Sequence, residues 1–263
     1  MARELYQPHD NLFRKVFSEE GEAAGLLRPH LPAWLSSTLD WSTLTLQDRS
    51  YVDEELEASQ SDLLFEVQWQ AGAGQAGAGE TASAPQRLLL YVLFEHQSTP
   101  NRWMRFRLLE YCCRIWADAL RADDKRPELP PIVPVVFYQG KRRWRHAREF
   151  AELFSEAVRE WPWTPRFEHL LVDQSQAAAG AVRGGALGRV AQLALMAAAR
   201  RRVSQARAAL LMAAQYMGEL AKGGRTERFR AIVRYVITTH HDDENPFLVE
   251  RSWASRTDPA RRR

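Results

Sequence analysis

Residues 61–97 constrain the fold more than any other part of this chain. In SDLLFEVQWQ (61–70), Leu63, Phe65, Val67 and Trp69 alternate with Asp62, Leu64, Glu66 and Gln68, the period-two pattern of a half-polar strand. AGAGQAGAGE (71–80) has nothing to pack and reads as a flexible loop. RLLLYVLFEHQ (87–97) is an apolar run that ends in Glu95, His96 and Gln97, as a buried strand does where it surfaces. Strands so close in sequence pair most simply as an antiparallel hairpin. Opposing Asp62 to Glu95 centres the turn between residues 78 and 79, inside the glycine-rich loop, and gathers both acids at one end. Alternation sends Glu95 and Gln97 to one face and His96 to the other, where it reads as a structural histidine.

The rest of the chain frames this hairpin. Leu12, Phe13, Val16 and Phe17 fall at helical spacing behind Asp10, which stands where an N-cap belongs. RPHLPAWL (28–35) breaks two short helices, and 42–54 alternates as a strand. A helix is expected over 102–121, with Phe106, Leu109, Cys113, Trp116 and Leu120 as its apolar stripe and Trp103 packed beside Phe106. IVPVVFYQG (132–140) and FEHLLVDQ (167–174) read as further strands. Alanine-rich helices follow at about 187–199, 203–221 and 226–239. The order predicts an α/β fold, a mixed central sheet flanked by helices, with a helical C-terminal region. The expected organisation is an α/β domain over 1–176, helices over 177–241 and a frayed polar tail over 242–263.

Bulk properties exclude several classes. With 45% hydrophobic and 26% charged residues, the 263-residue chain has the composition of a globular protein rather than a disordered one. A net charge of +3 and a pI near 9.0 are compatible with a polyanionic partner without demanding one. The two cysteines, Cys112 and Cys113, are adjacent; they are too few for a structural zinc site and read as reduced thiols. MARELYQPHD lacks the apolar core of a signal peptide, and no apolar run has the length of a membrane span. A soluble, cytoplasmic protein is the expectation.

Two carboxylates at a strand end suit either solvent or a hard divalent cation such as Mg2+, which takes oxygen ligands. A cation there can activate water and neutralise charge on a phosphodiester. Asp62, a second strand ending in Glu95-x-Gln97, and helices before and after resemble the PD-(D/E)XK nuclease superfamily. More closely, HDNLFRKVF (9–17), YVDEELEASQSDLLFEV (51–67), LFEHQSTPNRWMRFRLLEYCCRIW (93–116) and LPPIVPVVFYQG (129–140) resemble the recombination-promoting nuclease/putative transposase (YhgA-like) family. The resemblance implies a restriction-endonuclease-like core and a Mg2+-dependent DNA endonuclease, with Asp62 and Glu95 as metal ligands. Asp10 suits a third ligand from the first helix and a simple N-cap equally well.

Gln97 departs from the superfamily, which has lysine there. An amide can orient a water but brings no positive charge to the phosphate, and Lys15 on the first helix is a candidate substitute. KRRWRHAR (141–148) sets Lys141, Arg142, Arg143 and Arg145 around Trp144, a pattern for phosphate contacts with base stacking; Arg102 and Arg105 in RWMRFR form a similar cluster. DNA is the expected partner, with homo-oligomerisation through the C-terminal helices. Two rivals remain at this level: a nuclease-derived module that binds DNA without cutting it, and a protein–protein adaptor built on the alanine-rich helices.

Overall fold

The protein is seen in a computed structural model that describes residues 8–47, 62–70, 86–95, 100–199 and 203–222, with helical positions 232, 234–236 and 239 beyond. The glycine-rich loop at 71–80 and the tail at 242–263 lie outside the described residues. Five strands form one sheet in chain order: β1 (Leu39–Leu46), β2 (Leu63–Trp69), β3 (Gln86–Glu95), β4 (Ile132–Tyr138) and β5 (Leu170–Asp173). β1, β2 and β3 are antiparallel neighbours, whereas β3, β4 and β5 run parallel. Parallel neighbours need a crossover, and α4 (Met104–Ala122) supplies it between β3 and β4. The sheet is mixed and flanked by helices, as the order of elements predicts.

Side-chain alternation divides the core into two layers. Leu63, Phe65 and Val67 of β2, with Leu88, Leu90 and Val92 of β3, face α1 (Pro8–Phe17), α2 (Glu20–Leu27), α5 (Ala186–Ala199) and α6 (Val203–Lys222). Leu89, Tyr91 and Leu93 face α4 on the other side. A strand covered on both faces needs apolar residues at every position, which accounts for the uninterrupted run in β3. α1 is pinned by Phe13 and Phe17, whose rings lie 5.2 and 6.3 Å from Phe137 of β4. The helices after residue 177 belong to this same layer: Leu187, Val190, Leu193 and Ala194 of α5 are fully buried in it.

α2 and the start of α5 approach backbone to backbone. Gly184 adopts φ +105°, and a Cβ on Gly25 would stand 2.9 Å from the Gly184 Cα, so α2 meets the turn leading into α5 where neither residue carries a side chain. The buried Glu22 carboxylate accepts the Gly188 N–H at 2.9 Å and so caps the first turn of α5.

Two expectations need correction. β1 occupies 39–46 rather than 42–54, whose later part lies outside the described residues. In α4 the buried stripe is Met104, Leu108, Tyr111, Cys112 and Ile115, while Phe106 and Leu120 are 47% and 44% exposed and Trp103 is 49% exposed. The helix carries two interleaved apolar stripes. The one that fits between Leu93, Val136 and Tyr138 goes inside, and Arg105 turns in with it because its Nη1–H donates to the Glu149 carbonyl at 2.9 Å. Cys112 is buried and Cys113 exposed, both as free thiols. No helix among the described residues is long and apolar enough to cross a membrane.

Candidate active site at the open end of the β2–β3 hairpin

Asp62 immediately precedes β2. The β2–β3 register pairs Leu63 with Val92, so one step further Asp62 stands across from Leu93, not Glu95. The slip from the expected register is two residues, and an even slip preserves which face each position serves. Glu95 is the last residue of β3, pairing with Tyr138 of β4; its side chain, with all of His96 and Gln97, lies outside the described residues. Among the described residues no three His, Cys, Asp or Glu side chains converge as a metal site.

Asp62 is held from beneath by Tyr91, whose hydroxyl donates to Oδ2 at 2.5 Å. Tyr91 is buried, with its ring tilted against Tyr111 at a centroid distance of 5.2 Å. Burial, and then the negative charge of Asp62, hold its phenol well above the usual range, so the group stays a proton donor. Sequence reasoning missed this residue by counting it as part of an apolar run. The available signal was a hydroxyl inside a strand buried on both faces, which must find a partner.

Asp62 lines a cleft of about 320 Å3 together with Arg14 of α1, Ser18 just after that helix, Leu46 and Gln47 at the exit of β1, and Leu63 and Leu64. Arg14 is exposed, and among the described residues its guanidinium makes no hydrogen bond or ion pair. Lys15, also exposed, is not a wall of the cleft. Asp10 sits one helical turn before Arg14. It is the third residue of α1 and 4% exposed, so it occupies the interior of the first turn and not the N-cap.

The basic loop lies beside the end of β3. Tyr138, the pairing partner of Glu95, donates its hydroxyl to the Arg142 carbonyl at 2.7 Å. His146 Nε2 lies 3.1 Å from the carbonyl of Pro100, three residues past Gln97, and the Trp144 N–H reaches Asp173 Oδ2 at 3.3 Å. Lys141, Arg142, Arg143 and Arg145 are exposed on this anchored loop. Trp144 is not available for base stacking, contrary to expectation. It is 7% exposed, edge-on to Tyr138 at 5.2 Å and His169 at 6.0 Å, with its indole N–H given to the His146 carbonyl at 2.8 Å. Arg102 is exposed, its guanidinium 4.6 Å above the Trp103 ring. Arg105, by contrast, is the buried tie from α4 to Glu149.

With this geometry in place, comparison with known proteins is decisive at the level of family. Residues 7–228 match the family described as "Putative transposase, YhgA-like". The chain belongs to that family. The match runs through the sheet and onward across α5 and α6. The chain is similar to recombination-promoting nuclease RpnD of Escherichia coli O157:H7, 34% identical over 135 residues, which is 51% of this chain and 46% of that protein. It is similar to recombination-promoting nuclease RpnA of Escherichia coli (strain K12), 35% identical over 133 residues, 51% of this chain and 40% of that protein. A third relative, from the same strain, is the inactive recombination-promoting nuclease-like protein RpnE, 31% identical over 135 residues, 51% of this chain and 40% of that protein. The matched part thus spans less than half the length of each of these relatives. No solved structure matches the chain.

Proposed function

We propose that this chain is a divalent-metal-dependent DNA endonuclease that hydrolyses phosphodiester bonds. The observation that carries the reading is Asp62, fixed by Tyr91 at the mouth of the hairpin, two strand positions from Glu95 and facing an open cleft. The names of the related nucleases support the same chemistry. The donor types fit Mg2+, a hard cation that takes carboxylate oxygens, and the Tyr91 hydroxyl on Asp62 Oδ2 orients one of those carboxylates. Asp62 and Glu95 would hold the ion, with Asp10 as the candidate third ligand. Bound there, a divalent ion supplies an activated water and charge neutralisation at phosphate.

The protein's own residues do the rest. Gln97 would orient the attacking water through its amide, and Lys141, Arg142, Arg143 and Arg145 would hold the DNA backbone along the loop beside β3. Arg102 extends that basic surface toward the start of α4. The reading is tested on supercoiled plasmid with Mg2+, with Mn2+ and with EDTA. Nicking with either metal and none with EDTA is the expected result; nicking that persists in EDTA contradicts it.

A second reading is favoured by one specific observation: RpnE, which matches over the same length of chain as RpnD, is named inactive. Gln97 in place of lysine could leave a DNA-binding module without chemistry. That module would retain DNA at low salt and release it with rising salt, with no cleavage under any of the metals.

A further inference from the structure

We propose that Arg14 is a phosphate-binding residue of the cleft, supplying the positive charge at the scissile phosphodiester that Gln97 does not; this rests on the nuclease reading above. Three observations point to it. The first is position: Arg14 and Asp62 line the same cleft of about 320 Å3, although 47 residues of sequence and the whole of β1 lie between them. The second is fixation. Phe13, Val16 and Phe17 are locked in the core at 0–1% exposure, so the phase of α1 is set and position 14 is directed out of that core. The third is availability, because the guanidinium has no hydrogen bond or ion pair among the described residues.

The chemistry of the side chain suits that role. A guanidinium presents a planar fork of N–H donors that matches two phosphate oxygens, and it stays charged at any working pH. Ser18 and Gln47 are polar residues of the same lining, and Leu46, Leu63 and Leu64 are its apolar ones. Lys15, the cation that sequence alone suggests, is exposed but does not wall the cleft.

Arg14 can be replaced without disturbing the fold. It is exposed, and the hydrogen bonds that Ser18 sends to it, from Oγ at 2.5 Å and from N at 2.9 Å, both end on its backbone carbonyl. The test compares wild type, Arg14→Ala, Arg14→Lys and, as a control on the distant α4–β4 connection, Lys125→Ala. Two readouts are taken: plasmid nicking with Mg2+, and the salt dependence of binding to a short fluorescent DNA duplex with Ca2+. Losing one phosphate contact lowers the slope of log K against log salt by about 0.9. Arg14→Ala should show that drop and a fall in nicking of about 10²-fold, as loss of a transition-state donor gives. Arg14→Lys should keep the slope and recover only part of the rate, and Lys125→Ala should match wild type in both. An unchanged slope in Arg14→Ala overturns the inference, whatever the nicking rate. If wild type fails to nick under any metal but the slope still drops, the endonuclease reading fails and the phosphate contact stands.

Discussion

Protonation of His169 is the perturbation whose size the structure fixes best, and it acts beneath the basic loop. The ring is fully buried, Nδ1 lies 3.0 Å from the Arg148 carbonyl, and Nε2 has no hydrogen-bond partner among the described residues. A carbonyl can only accept, so Nδ1 carries the proton of the neutral ring. Burial above all pushes its pKa down from 6.5 to about 4; the bond to Arg148 opposes this, and the charges of Arg105 and Arg148 add to it. Below pH 6.5 the unfolded chain takes up a proton that the folded protein refuses until about pH 4. His169 therefore contributes stability that is present at neutral pH and lost as pH falls through that window. Integrating the proton difference gives a loss of about 2 kcal/mol at pH 5 and about 3 kcal/mol below pH 4. Trp144 leans on this ring, so the loss is felt where the basic loop is anchored. The assay is urea unfolding of wild type and His169→Asn at pH 7 and pH 5, the asparagine amide retaining a donor for Arg148. The variant should start less stable yet lose about 2 kcal/mol less between the two pH values. Equal losses in the two proteins refute the reasoning.

Other outcomes follow from the same packing and hydrogen bonds. Leu108→Ala, at 0% exposure on the inner stripe of α4, should cost about 2–5 kcal/mol in urea unfolding, while Phe106→Ala on the outer stripe should stay within about 1 kcal/mol of wild type; the reverse order would restore the other stripe. Cys113 should react with a thiol reagent in the native protein at pH 8. Cys112, buried and with its pKa pushed up to about 12 chiefly by burial, should react only on unfolding, which counting modified thiols by mass spectrometry decides. Tyr91→Phe keeps the ring against Tyr111 but removes the donor to Asp62. It should raise the Mg2+ concentration needed for half-maximal nicking about 10-fold with little change in fold, and an unchanged Mg2+ dependence contradicts the role given to that hydroxyl.

The hairpin was legible because period-two alternation is a local property. Leu63, Phe65 and Val67 go to one side in the sequence pattern and in the sheet alike. Its register was legible only in parity, since a loop outside the regular strands does not set the count, and the observed slip of two still leaves positions 62 and 95 in phase. α4 could not be read so well. Two apolar stripes at steps of three and four compete, and the shape of the facing sheet chooses between them. Trp144 looked like a surface aromatic among cations, because the residues that bury it, Tyr138 and His169, come from separate strand regions. Between Arg14 and Lys15 helix phase alone leaves a tie. The exit of β1 and the start of β2 break it by forming the cleft against one and not the other.

The central claim is that Asp62 serves metal-dependent hydrolysis, and one comparison tests it most directly. Supercoiled plasmid is incubated with Mg2+ and either wild-type protein or Asp62→Ala, with circular dichroism confirming that both are folded. The account predicts nicking by wild type and none by the variant. A folded Asp62→Ala protein that nicks at the wild-type rate would contradict it.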